Sequence, residues 1–136
     1  MTGPNRLSNA RAEIAPAADA LRVAQAARDL GIYRDAMSRA YYAAFHAARA
    51  LVLLEGEEPR THGGLSRLFN DHVVRTGKLE ARYNLLLTRL QAYRQASDYA
   101  FDFALAEDDV RSEIDAAAEL VDRARGIVEA ATTSAS

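Results

Sequence analysis

The chain has 136 residues and a formal net charge of −2, a length typical of one domain with a continuous core. The absence of cysteine excludes both a disulfide framework and a thiolate metal site. The charge is uneven, because residues 60–94 carry seven basic and two acidic side chains whereas residues 95–136 carry three basic and ten acidic ones. The basic middle could contact phosphate groups, or the acidic end could neutralise it within the fold.

The hydrophobic pattern is helical throughout and predicts no strand. Ser8 could cap a short first helix, and Pro16 could start or kink the segment that runs to Gly31. A second helix is predicted from about Tyr33 to Glu55, because apolar residues recur there at helical spacing. Gly56 then ends this helix.

Three further helices are predicted in the second half of the chain. Thr61 can cap a shorter third helix, which Gly77 closes. The fourth runs from about Leu79 to Leu105, and the fifth from about Glu107 to Ala130, followed by a frayed tail at Thr132–Ser136. Short connections between long amphipathic helices predict an all-α fold, an antiparallel up-and-down bundle of four to five helices.

The pattern predicts a single domain over residues 1–136, with flexible ends at 1–15 and 131–136. Met1–Asn9 is polar and does not resemble a signal peptide. Ala40–Ala48 is the longest central stretch without a formal charge, far shorter than the ~20 residues that a membrane span requires. We therefore expect a cytoplasmic protein that does not enter the membrane.

One candidate site is a polar and aromatic stripe on the second helix. Its members Arg39, Tyr42, His46 and Arg49 are spaced by three, four and three residues, so they share one side of the helix. This stripe could line a ligand-binding cleft. It could equally be a solvated face on which Tyr42 is partly buried.

Other candidates lie on the third and fourth helices. Arg94 and Asp98 are four residues apart, so they can form a helix-stabilising ion pair worth ~0.3 kcal/mol or, if half-buried, shape a site. His62 follows the Thr61 cap and is either a ligand-binding residue or a surface imidazole. The chain contains neither His-Glu-x-x-His nor paired Glu-x-x-His motifs, so we predict no metal site and no cofactor.

Three motifs also occur in a fixed order along the chain. They are the run Ala36–Leu51 with its Tyr41-Tyr42 and Phe45-His46 pairs, the segment Pro59-x-Thr61-His62, and Arg94-x-x-x-Asp98-Tyr99. From about Leu21 to Val128 the sequence closely resembles the small bacterial and archaeal HEPN-domain proteins. The resemblance implies a helical bundle that commonly dimerises and is often encoded beside a minimal nucleotidyltransferase, as one half of a toxin–antitoxin pair.

The resemblance also implies a site around the fourth helix. Many HEPN toxins are metal-independent ribonucleases whose signature is an Arg, four to six residues and a His, but here Tyr99 stands at the His position after Arg94. In a homodimer two copies of the fourth helix would meet. Arg94 would then bind phosphate, Asp98 would orient it, and Tyr99 would stack or donate a hydrogen bond, with His46 and Tyr42 at the rim.

We therefore expect an HEPN-type nucleotide- or RNA-binding module that works with a nucleotidyltransferase partner. One alternative is a structural or protein-interaction dimer without catalysis. Another is an atypical metal-independent ribonuclease that uses Arg94 with His46 or Tyr99, although tyrosine, with an ordinary pKa near ~10, is a weak proton shuttle at neutral pH.

Overall fold

The computed structural model describes the backbone of residues 3–99 and 105–135 and the side chains of residues 5–96 and 105–134. These ranges contain helices α1 (Gly3–Asp29), α2 (Tyr33–Leu54), α3 (His62–Phe69), α4 (Arg82–Tyr99) and α5 (Glu107–Ala135), and no strand. The predicted all-α helical bundle is confirmed. Among the described helices, none combines the length and apolar character needed to cross a membrane.

Helix α1 is longer than the sequence predicted. It runs from Gly3 through Ser8 and Pro16 without a break, so the predictions that Ser8 caps a short first helix and that a separate segment starts at Pro16 are wrong. A proline inside a helix removes one backbone hydrogen bond. Here α1 continues because its alanines, including Ala10, Ala17 and Ala24, are fully buried in the core. Tertiary packing therefore outweighs the local cost of Pro16.

Helix α2 is the centre of the bundle, since it packs against α1, α3, α4 and α5. Its predicted extent, Tyr33 to Glu55, agrees with the structure to within one residue. Seven of its alanines are fully buried, and side chains of this size let neighbouring helices approach closely. Larger residues from the other elements complete the core around them, among them Leu65, Phe69, Tyr83, Leu86, Leu87, Leu90, Ile114 and Leu120.

Helix α3 begins as predicted, because the Gly64 N–H donates to the Thr61 hydroxyl at 2.9 Å. The sequence did not predict that α3 continues as a π-helical turn over Asn70–Val74. The chain then turns at Gly77, whose φ of 82° is in the left-handed region. Helix α4 begins at Arg82, three residues after the predicted start at Leu79.

The last helix corrects one boundary. Helix α5 starts at Glu107 as predicted, but it extends to Ala135 rather than ending at Ala130. Within the predicted frayed tail, the Thr132 and Thr133 hydroxyls donate to the carbonyls of Val128 and Glu129. These hydrogen bonds belong to a continuing helix, so the predicted boundary is wrong. Leu105, the predicted end of the fourth helix, lies outside any helix.

Candidate functional site

The candidate site is centred on Arg94, where α4 crosses α2. Arg94 lies one turn beyond the fully buried Leu90, so the packing of α4 directs it toward α2. Its guanidinium carbon is 5.2 Å from the ring centroid of Tyr42 and 5.5 Å from that of Tyr41. A guanidinium at these distances is attracted to both aromatic faces. The structure thus brings together two predicted site residues, Arg94 and Tyr42.

Tyr41 links Arg94 to His62 at the start of α3. The Tyr41 hydroxyl and the Nδ1 atom of His62 are 3.1 Å apart, and the two ring centroids are 5.6 Å apart. Tyr41 is only 5% exposed, and it was not among the predicted site residues. The adjacent tyrosines were the sequence feature that could have identified Tyr41 as a site residue, because both Tyr41 and Tyr42 contact Arg94.

Burial sets the protonation states of this pair. It raises the pKa of Tyr41, although the positive charge of Arg94 partly opposes the shift, so the phenol stays protonated at neutral pH. Burial lowers the pKa of His62 below its ordinary 6.5, so the imidazole is neutral at pH 7. The pair therefore carries no charge, and Arg94 supplies the positive charge of the site.

Arg94 differs from several other arginines of α4 and α5. Arg82, Arg89 and Arg111 each pair with a glutamate. Within the described part of the chain, no carboxylate or other hydrogen-bond acceptor pairs with the half-buried Arg94. A guanidinium has five N–H donors in a planar fork, which matches phosphate or carboxylate oxygens. Arg94 is therefore oriented by two aromatic rings, and no described carboxylate engages its N–H donors.

Two predicted residues, Asp98 and Tyr99, have side chains that lie outside the described residues. The backbone of α4 extends through both, one turn beyond Arg94. The predicted pairing of Asp98 with Arg94 and the predicted roles of Tyr99 stay predictions.

His46 and Arg49 have a different partner, Glu13 of α1. The His46 Nδ1 atom is 2.6 Å from one Glu13 carboxylate oxygen, and an Arg49 N–H donates to the other. Burial tends to raise the pKa of Glu13, but these hydrogen bonds and the charge of Arg49 outweigh it, so the pKa is lowered. This cluster ties α1 to α2 beside Tyr42. Local sequence spacing could not reveal Glu13, which is 33 residues from His46.

Arg39, the remaining member of the predicted stripe, lines a groove of about 460 Å³ between α1 and α2. Tyr42 lines the same groove, so its ring is shared between the groove and the Arg94 site. Across the described residues, no three His, Asp or Glu side chains converge as metal ligands would. The predicted residues therefore divide between the Arg94 site, the Glu13 cluster and this groove.

Comparison with known proteins identifies the family. Residues 10–131 match the HEPN domain, so the chain belongs to the HEPN-domain family. It is 38% identical over 92 residues to the Methanocaldococcus jannaschii protein named "Putative toxin MJ0605", a match that covers 68% of each chain. It is 30% identical over 94 residues to a UPF0332 protein of Thermotoga maritima, covering 69% of this chain and 71% of the relative.

A shorter match has higher identity. The UPF0332 protein PH1297 of Pyrococcus horikoshii is 52% identical over 58 residues, which are 43% of this chain and 41% of the relative. The resemblance that the sequence motifs indicated is thus confirmed at the level of the family.

Proposed function

We propose that this protein is an HEPN toxin-type module that binds RNA or a nucleotide at Arg94. It works in the cytoplasm as a homodimer, with a minimal nucleotidyltransferase as the second component of the system. The observation that carries the binding proposal is the arrangement of Arg94, which is half-buried against Tyr41 and Tyr42 and has no carboxylate partner among the described side chains.

The chemistry of the site favours a nucleic-acid ligand over a simple anion. Arg94 offers parallel N–H donors to a phosphate, and Tyr42, which is partly exposed, offers a ring on which a base can stack. Stacking on an aromatic side chain is worth roughly 1–3 kcal/mol per base in single-strand recognition. A protonated Tyr41 and a neutral His62 add polar groups without adding negative charge.

The toxin and partner parts of the proposal have different support. Two relatives carry the name "Putative toxin", both from Methanocaldococcus jannaschii. HEPN proteins of this size are often encoded beside a minimal nucleotidyltransferase, which is the reason for proposing that partner. Co-expression with a minimal nucleotidyltransferase from the same genome, followed by co-purification and growth assays, tests both parts together.

The binding proposal is tested by fluorescence anisotropy with a labelled single-stranded RNA. Arg94→Ala should weaken binding, and it should lower the dependence of log affinity on log salt by about 0.7, the value for one phosphate contact with a single strand. Arg75→Ala is the matched control, because it removes the same charge from a side chain that is 73% exposed. Equal binding by the wild type and Arg94→Ala would contradict the proposal.

A second candidate function, metal-independent RNA cleavage, is favoured by the Tyr41–His62 hydrogen bond. His62 is a neutral imidazole joined to one of the rings that contact Arg94, whereas His46 is engaged by Glu13. A neutral imidazole can accept the proton of a ribose 2′-hydroxyl as a general base. Cleavage in the presence of a chelator that is lost in both Arg94→Ala and His62→Gln would support this function, and binding without cleavage would reject it.

A further inference from the structure

One buried polar atom of α4 lacks a hydrogen-bond partner. The Oε1 atom of Gln91 is shielded from solvent and accepts no hydrogen bond, and among the described residues it is the one buried side-chain oxygen or nitrogen of which this is true. Buried polar groups are almost always hydrogen-bonded, because an unmade bond leaves the cost of removing the group from water uncompensated. An apolar residue would avoid that cost, so the stability of the free protein does not account for this amide.

Gln91 lies on the side of α4 that faces the candidate site. Asn84, two turns before Gln91, contacts Ser66 of α3. Arg94, three residues after Gln91, contacts Tyr41 of α2. Residues three apart on a helix are neighbours, with Cβ atoms about 5–6 Å from each other. The unpartnered oxygen therefore belongs to a residue adjacent to Arg94 on the same side of α4.

A second amide on this side of α4 is fully engaged. The side-chain oxygen of Asn84 accepts a hydrogen bond from the Ser66 hydroxyl at 2.9 Å, and its nitrogen donates to the Ser66 carbonyl at 3.3 Å. Asn84 therefore ties α4 to α3. Gln91 makes no such link through its oxygen, so the two amides form a matched pair in which one is structural and the other is not.

Gln91 and Arg94 offer complementary groups to one ligand. Arg94 has N–H donors that no described carboxylate engages, and Gln91 has an acceptor that no described donor engages, Arg94 included. In RNA the ribose 2′-hydroxyl and the 3′-phosphate are attached to adjacent carbons, so an O–H donor lies beside the phosphate that Arg94 is proposed to bind. DNA lacks this hydroxyl, which is the group that lets a protein distinguish the two.

We infer that Gln91 is a specificity-determining residue that accepts a hydrogen bond from the ribose 2′-hydroxyl of the nucleotide whose phosphate binds Arg94. The inference rests on the proposed binding at Arg94 and deepens it, because it selects RNA over DNA as the ligand class. Gln91 as a residue is only partly buried, and the terminal torsion of a glutamine side chain is broad, so the amide oxygen can turn toward the ligand. It gives up no hydrogen bond when it turns, so the new bond is a net gain rather than an exchange.

Fluorescence anisotropy with three labelled single strands of one base sequence tests this role. The strands are RNA, uracil-containing DNA, and RNA with fluorine at every 2′ position, which keeps the ribose conformation but cannot donate a hydrogen bond. The wild type should bind RNA about tenfold more tightly than the other two strands, the difference expected for one hydrogen bond. Gln91→Met keeps the length of the side chain without its amide, so it should bind all three strands equally.

Urea unfolding and the Asn84→Leu control separate recognition from structure. Gln91→Met removes an unpartnered buried acceptor, so its unfolding midpoint should be no lower than that of the wild type. Asn84→Leu breaks the link to Ser66, so it should lower the midpoint and leave the preference for RNA over the 2′-fluoro strand unchanged. A preference for RNA that survives in Gln91→Met overturns the inference, and so does a lower midpoint in that variant.

The proposed binding at Arg94 fails or survives separately. Arg94→Ala should weaken the binding of all three strands, because each carries the phosphate, whereas Gln91→Met should weaken the binding of RNA alone. Weaker binding by Arg94→Ala together with equal wild-type affinity for the three strands retains the Arg94 proposal and overturns the role of Gln91. Absence of wild-type binding to every strand overturns both.

Discussion

The ion pair between Arg89 and Glu113 is expected to hold α4 against α5 and thereby position Arg94. Two Arg89 N–H groups donate to the two Glu113 carboxylate oxygens, each at 2.9 Å. The Glu113 side chain is only 9% exposed, whereas that of Arg89 is 48% exposed. Removing the guanidinium therefore leaves a carboxylate that is almost fully buried and without its cation.

The expected cost of Arg89→Met follows from that burial. Hydrogen bonds to charged groups contribute roughly 1.5–3 kcal/mol, and leaving a fully buried charge unpaired costs about 3–5 kcal/mol. Because Arg89 is half-exposed, solvent screens the pair, and we expect a loss of about 2 kcal/mol in the free energy of unfolding. For a chain of this length that loss corresponds to a fall in Tm of about 7 °C.

Urea unfolding of a double-mutant cycle measures this energy. Glu113→Leu and Arg89→Met together remove both charges, so the double variant should be within about 1 kcal/mol of the wild type, and more stable than Arg89→Met alone. Additive losses in the double variant would refute the reasoning, as would a loss below about 0.5 kcal/mol in Arg89→Met. Either result would mean that apolar packing alone holds α4.

Two further predictions concern α1 and α5. Because the pKa of Glu13 is lowered, its carboxylate stabilises the fold at pH values above the ordinary 4.5, and this stabilisation is lost as the pH falls through the folded-state pKa. Glu13→Gln should therefore be less stable than the wild type at pH 7, and urea unfolding should show the difference in stability closing toward pH 3. Gly31→Ala should cost about 1 kcal/mol because φ is positive at this position, although the added Cβ would meet no atom within 4 Å. Gly126→Ala lies in the interior of α5 with the same open space and should stabilise the fold by roughly 0.5–1 kcal/mol. Thermal unfolding of the two variants therefore separates backbone strain from steric contact.

The bundle was predictable because each helix carries its apolar residues at helical spacing and the first three helical segments end near a glycine. Gly31, Gly56 and Gly77 all adopt positive φ where the sequence predicted that helices end. Two features were not predictable from local pattern. The continuity of α1 through Pro16 and the extension of α5 past Ala130 depend on packing between helices, and local propensity does not report such packing.

The candidate site was predictable only in part, because its members lie on different helices. Spacing alone could not bring Arg94 to Tyr42, and only the order of family motifs suggested that both belong to one site. The partnership of His46 with Glu13 was out of reach for the same reason, since no local rule connects residues 33 positions apart. The groove was missed because local pattern does not show which apolar residues near a helix end pack in the core; among the described residues, Val23, Leu30 and Ile32 are exposed.

The stripe on α2 shows how one helix can serve three purposes. The buried face of α2 is mostly alanine, so α1 and α4 can approach it closely. The polar residues of the stripe therefore contact different partners according to their position along α2. Arg39 lines the groove between α1 and α2, Tyr42 meets Arg94, and His46 with Arg49 binds Glu13. Tyr42 is therefore shared between the groove and the Arg94 site. Tyr42→Leu should weaken RNA binding, because it removes the ring that contacts the Arg94 guanidinium and on which a base can stack, and fluorescence anisotropy with labelled RNA measures the loss.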